Sequence, residues 1–165
     1  MIYLGIDPGI TGAIGVLFPY EEQAVYDLPV MQNVRAAEKG RKRMHLDPGD
    51  LTELLSIFDP RECRVVVEYT QAGMKGALAN YSLGHSSGVI MGVLSSLGFT
   101  YDMVRPQEWK KEFKLLKKGK EKRDKDESRL CAVALFPTLA LTRKKDHGRA
   151  EAILLAEWGR RHFTR

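Results

Sequence analysis

Four side chains carry the chemistry that can be read from this sequence: Asp7, Glu68, His147 and Glu151. Asp7 ends the apolar run Ile2-Tyr3-Leu4-Gly5-Ile6, and Glu68 ends the β-branched run Val65-Val66-Val67. A carboxylate adjoining a buried strand is costly unless it is paired or bound to metal. His147 and Glu151 stand four apart, so a helix puts them on one face, and Leu154 and Trp158 continue that face toward the core. Carboxylates brought together from distant segments suit a hard divalent cation such as Mg²⁺, which takes oxygen ligands and keeps several waters. Two such ions about 3.5–4 Å apart can activate a water and stabilise a leaving oxygen in phosphodiester hydrolysis. Alternatives stay open for each residue. Asp7-Pro8-Gly9 is also an ordinary turn, and Asp146 has a ready use as the N-cap of the last helix. His147 is an imidazole able to bind metal or handle a proton.

These residues need strands that end side by side and a helix laid across them. Residues 2–6 and 13–18 read as a hairpin, and 23–28 as a third strand. The polar, basic segment 31–49 lacks periodicity, which predicts a surface loop. Asp47 is placed to cap a helix carrying Leu51, Leu54, Leu55 and Phe58, ending near Pro60. Residues 64–68 form a buried strand, 76–97 a long helix, 99–104 another strand, 126–136 a helix stopped by Pro137, and 146–162 the last helix. Gly84, Gly88 and Gly92 recur every fourth residue, so one face of the long helix is stripped of side chains. That favours close packing against the sheet or against a partner subunit. The order of elements predicts an α/β class with a mixed sheet, and 165 residues suffice for one domain, 1–165.

The net charge is +5 and the isoelectric point about 9.2. Between residues 105 and 125 stand ten Lys or Arg against four acids, with Trp109 and Phe113 interleaved. With the cluster Arg41-Lys42-Arg43, this predicts a polyanionic partner held by phosphate contacts, for which Arg105, Lys110, Lys111, Lys117, Lys118 and Lys120 are further candidates. No apolar stretch reaches the length of a membrane span, and no signal region is visible. Cys63 and Cys131 lack metal or disulfide spacing and read as reduced thiols. The expected compartment is therefore cytoplasmic, in a bacterial or phage-infected cell, or an organelle stroma if a transit segment has been removed.

Gly5-Ile6-Asp7-Pro8-Gly9 with Thr11-Gly12-Ala13, Val67-Glu68, Arg105-Pro106-Gln107-Glu108-Trp109-Lys110, and Asp146-His147-Gly148-Arg149-Ala150-Glu151-Ala152 together resemble the RuvC-type Holliday junction resolvases, in their phage and chloroplast branch. In order and spacing these four motifs cover nearly the whole chain. The resemblance implies an RNase H-like fold with a five-stranded sheet, a homodimer, and Mg²⁺-dependent symmetric cleavage of four-way DNA junctions, with two ions per site and Mn²⁺ as a substitute. It implies that Asp7, Glu68 and Glu151 bind metal and that His147 or Asp146 fills the fourth position. It also aligns 69–75 with a segment that carries a junction-opening aromatic in bacterial members. Here that segment offers Gln71 and Met74, with Lys75, as DNA contacts. The helix 76–97 is the candidate dimer face.

Two other readings compete. The opening Gly5-Ile6-Asp7-Pro8-Gly9-Ile10-Thr11 is similar to the phosphate-binding start of actin-like ATPases and sugar kinases, but those need two lobes. A catalytically silent DNA-binding module would explain the basic run, though not carboxylates beside phosphates.

Overall fold

A computed structural model describes residues 1–34, 38, 40, 43–69, 76–116 and 126–163. Its centre is a five-stranded sheet in the order β3-β2-β1-β6-β7. The strands are β1 (Ile2–Ile6), β2 (Ala13–Leu17), β3 (Gln23–Asp27), β6 (Cys63–Glu68) and β7 (Tyr101–Val104). β1, β2 and β3 pair antiparallel, while β6 is parallel to both β1 and β7. The sheet is mixed and five-stranded, as expected. Its middle strands are apolar on both faces because helices cover both, which is why β6 reads Val65-Val66-Val67 without alternation.

One face packs Leu4, Ile6, Val65 and Val67 against Leu51 and Leu55 of α1 (Pro48–Ser56) and Ile90 and Leu94 of α2 (Ala77–Ser96). Asp47 caps α1 as expected, accepting from the N–H groups of Gly49 and Asp50. The helix stops at Ser56, short of Pro60. The opposite face carries Tyr3, Val66 and Val104, covered by α3 (Pro106–Glu112), α4 (Asp126–Leu135) and α5 (His147–Phe163). α5 lies directly on the strand backbones. A Cβ on Gly5 would sit 2.2 Å from the Ala156 nitrogen, and one on Gly15 would sit 2.5 Å from the Ile153 nitrogen. Any side chain at either position would lift the helix off the sheet.

Two expectations need correction. The segment 31–49 is not simply a loop, because β4 (Val30–Gln32) pairs antiparallel with β5 (Met44–Leu46) in a second, two-stranded sheet. Its strands are three residues each, too short for periodicity to register. The glycines of α2 do not pack on their own sheet either. A Cβ on Gly84, Gly88 or Gly92 would meet nothing within 4 Å, since the buried side of the helix is made by Ser86, Ser87, Ile90, Val93 and Leu94. Among the described residues no helix is long and apolar enough to cross a membrane. Cys63 and Cys131 are free thiols, the former buried and pushed up to about 11 by that burial.

Candidate active site

Side chains alternate across a strand, so Tyr3, Gly5 and Asp7 point to the α5 face, as do Val66 and Glu68. The parallel register ends at Ile6↔Val67. Asp7 and Glu68 therefore emerge next to each other, on the same face, where both strands stop. The turn after Asp7 is tight: Gly9 N–H donates to Asp7 Oδ1 at 3.2 Å, and a Cβ on Gly12 would lie 2.0 Å from the Asp7 carbonyl oxygen. The first turn of α5 rests on this turn. A Cβ on Gly148 would lie 2.3 Å from the Thr11 carbonyl and 3.3 Å from Asp7 Oδ2. Glycine at 148 thus lets α5 bring Glu151 and His147 up to Asp7.

The electrostatics record the convergence. Asp7 is pushed up to about 6, first by burial and then by the charge of Glu151, against the opposing Gly9 hydrogen bond and the charges of Lys110 and His147. Glu68, only 9% exposed, is pushed up to about 7 by burial and by Asp7, with Glu151 adding and Lys110 and Trp109 opposing. The three carboxylates expected at the site feel one another as like charges, and His147 is near enough to act on Asp7.

Three residues complete the site in roles that the sequence did not disclose. Trp109, fully buried, donates its indole N–H to Glu68 Oε1 at 3.1 Å. Lys110 donates to Glu151 Oε1 at 2.7 Å, with its ammonium 4.8 Å from the Trp109 ring centroid. Ser128 of α4 donates to the same Glu151 oxygen at 3.1 Å. The signal for Trp109 was present, because a buried tryptophan needs an acceptor for its N–H and the strand-end carboxylate needed a donor. Lys110 had been expected on DNA. It is 9% exposed and paired with Glu151, so it stands among the carboxylates and not on the outer surface.

Asp146 goes elsewhere. Its carboxylate accepts from the backbone N–H and the guanidinium of Arg143, and those hydrogen bonds hold it below the usual carboxylate range. It closes the short 3₁₀ turn before α5 rather than capping α5 itself or joining the acidic group. Of the remaining expected DNA contacts, Arg105 is exposed at the N-cap of α3, Lys111 is exposed on that helix, and Arg43 is exposed just before β5. Arg41, Lys42, Gln71, Met74, Lys75, Lys117, Lys118 and Lys120 lie outside the described residues.

Among the described residues no three His, Cys, Asp or Glu side chains are gathered so that they could hold a metal ion as they stand. Glu68 and Glu151 are instead turned to Trp109, Lys110 and Ser128. The donor set nevertheless fits a hard divalent cation. It offers three carboxylates, two of them raised by burial and mutual repulsion that a cation would relieve.

No protein-family profile matches the chain. The chloroplastic Holliday junction resolvase MOC1 of Chlamydomonas reinhardtii is 40% identical over 86 residues, which is 50% of this chain and 9% of that protein. The chain thus spans under a tenth of the length of that relative. RuvC of T. thermophilus, solved in complex with a Holliday junction substrate, superposes with a TM-score of 0.63 at 20% identity, over 94% of this chain and 90% of that one. A second Thermus thermophilus RuvC structure gives 0.58 at 22% identity with the same coverage. In its sheet order and in the helices flanking it, the chain has the RNase H-like fold of RuvC, and half of its sequence is similar to a chloroplast junction resolvase.

Proposed function

We propose that this protein is a crossover junction endodeoxyribonuclease that resolves four-way DNA junctions by divalent-metal-dependent hydrolysis of symmetric phosphodiesters. One observation carries the reading: Asp7, Glu68 and Glu151, from two strand ends and a helix, act on one another as neighbouring charges. A DNA phosphate brought to three carboxylates that share a single lysine would be repelled, so the arrangement calls for a cation between them. Mg²⁺ held by Asp7, Glu68 and Glu151, with His147 as fourth ligand or proton handler, would polarise the phosphoryl oxygen and lower the pKa of a bound water. Trp109 fixes the rotamer of Glu68, and Lys110 with Ser128 fixes that of Glu151. Lys110 also brings fixed positive charge to the place a phosphate would occupy. Arg105, at the N-cap of the same short helix, and Lys111, on it, are exposed and would extend that charge along the DNA path.

A four-way junction has paired equivalent strands, and an isologous dimer presents one site to each. The outward face of Gly84, Gly88 and Gly92 supports α2 as part of that interface, because backbones can approach closely only where side chains are absent. The test is cleavage of a synthetic four-way junction beside a linear duplex, with Mg²⁺, Mn²⁺ and Ca²⁺ in parallel and ATP turnover measured on the same preparation. Paired symmetric cuts in the junction with Mg²⁺ or Mn²⁺, and no ATP hydrolysis, are expected. ATP turnover without cutting would favour the kinase-like reading, and tight binding without cutting would favour the silent module.

A further inference from the structure

Away from the carboxylates, a groove of about 730 Å³ runs between the β4–β5 hairpin and the first half of α2. Its size falls within the ~300–1,000 Å³ of sites that take small organic ligands. Arg43 and His45 line one wall, and Tyr81, Ser82 and His85 the other, with Met44 and Leu78 between them. The rings form a chain. His85 meets His45 edge-on with centroids 6.0 Å apart, and Tyr81 lies 6.1 Å from His85 at 34°. Tyr81 is 71% exposed, so a large aromatic face is offered to solvent instead of being spent on the core. No residue described along the groove carries a carboxylate.

Flat π surface beside guanidinium and imidazole, without acids, matches a ligand with a planar ring and an anionic group. An apolar peptide would leave Arg43 buried against nothing, and a cationic ligand would be repelled. Both walls are also tied to the strand ends that hold the acids. Leu28, just before the hairpin, donates its N–H to the Gly12 carbonyl in the Asp7 turn, and α2 follows from the strand that ends at Glu68.

We infer that this groove binds one unstacked nucleotide of a DNA strand, with the base on Tyr81 and His85 and the phosphate on Arg43. The inference deepens the proposed junction cutting by locating a strand contact outside the acidic site, and only the origin of the strand rests on that reading.

The experiment follows the full chain by fluorescence anisotropy with a labelled single-stranded oligo-dT of about ten nucleotides. Tyr81→Ala should weaken binding about tenfold and Tyr81→Phe less than about twofold, since stacking needs the ring and not the hydroxyl. Arg43→Gln should reduce the slope of log affinity against log salt by about one. Tyr81 is on the surface, so melting temperature should hold, and His85→Ala serves as a second probe of the same platform. Unchanged affinity in Tyr81→Ala and His85→Ala would overturn the inference. So would dTMP binding as tightly as the oligomer, which would assign the groove to a free nucleotide. If Tyr81→Ala altered only self-association by sedimentation, the occupant would be a second copy of the chain and the inference would again fall. Junction cleavage is scored separately. A wild-type protein that cuts nothing but loses oligo-dT affinity with Tyr81→Ala would refute the proposed function and leave the groove standing; the converse pattern would do the reverse.

Discussion

Glu68 and Glu157 are both buried, 9% and 3% exposed, and they stand at opposite ends of the same helical face of the sheet. Burial pushes each upward in pKa. At Glu157, hydrogen bonds from Arg160 and Arg161 at 2.7–2.9 Å outweigh it and hold the carboxyl below its ordinary range. Arg161 also reaches Glu112, so the cluster fastens α3 to the far end of α5. At Glu68, among the described residues the donor is an indole N–H and the charge acting most strongly is that of another acid, Asp7, and the carboxyl is pushed up to about 7. A buried carboxylate with guanidinium partners is scaffold. One left facing other carboxylates stores electrostatic free energy that a ligand can relieve, and such perturbed groups concentrate at functional sites.

The sharpest break of this comparison is on activity. Asp7→Asn or Glu68→Gln should lower junction cleavage about 10³-fold, the scale of losing preorganised charge at the reacting centre. Junction affinity measured in a mobility-shift assay should persist. Glu157→Gln should leave the chemistry of bound substrate within a few fold. Joint loss of binding and cleavage at Asp7 would make it structural and erase the contrast.

His147→Ala should cost about 10²-fold in cleavage, the scale of a general acid or base. Asp146→Ala should cost far less, because the Asp146 carboxylate is occupied by Arg143, and its effect should be on melting temperature. A larger cleavage loss at Asp146 would place it, not His147, in the site.

Stability should move in opposite directions at the two glutamates. Glu157→Gln removes the charge that two guanidiniums share and should destabilise the fold by about 3 kcal/mol, as when one partner of a buried ion pair is removed. Glu68→Gln should stabilise the metal-free protein at pH 8 by about 2 kcal/mol, since a repelled carboxylate is replaced by a neutral amide that still accepts from Trp109. The pH dependence follows. Asp7 and Glu68 are raised from 3.8 and 4.5 to about 6 and about 7. Across that window the folded chain holds more protons than the unfolded one, so stability conferred below pH 4 is lost as pH rises toward 7. Urea denaturation in EDTA, scanned over pH, should show this decline, and Asp7→Asn with Glu68→Gln should flatten it. A decline that survives the double substitution would locate the strain elsewhere.

How much of this was legible follows from how local each cause is. Strands 2–6 and 64–68 announced themselves by apolar runs, and their terminal acids were readable because such positions exclude unpaired charge. Glu157 was not singled out: in a helix sequence Glu-Trp-Gly-Arg-Arg looks like an exposed i,i+3 and i,i+4 ion pair, and its burial comes from tertiary packing that the local sequence does not show. The pairing of Lys110 with Glu151 was hidden for a different reason. Lys110 was one lysine in a basic run, and its inward turn depends on where Pro106 starts α3 relative to the sheet. The β4–β5 hairpin, with its three-residue strands, was invisible to any pattern of period two. The open glycine face of α2 left two choices that composition cannot separate, since close packing on a sheet and on a second subunit ask for the same small residues.

The mildest perturbation probes the indole N–H that Glu68 accepts. Trp109→Phe keeps the ring in the core and removes only the N–H, so stability should fall by about 1 kcal/mol, the net value of one hydrogen bond. Because that N–H favours the ionised carboxyl, its loss should raise the Glu68 pKa further and move the acidic limb of the cleavage pH profile upward. The same substitution leaves Arg160, Arg161 and Glu157 untouched, so the scaffold end should keep its salt and pH response. An acidic limb that stays in place would mean that Trp109 merely fills space beside Glu68, and that the raised carboxyl owes its state to burial and Asp7 alone.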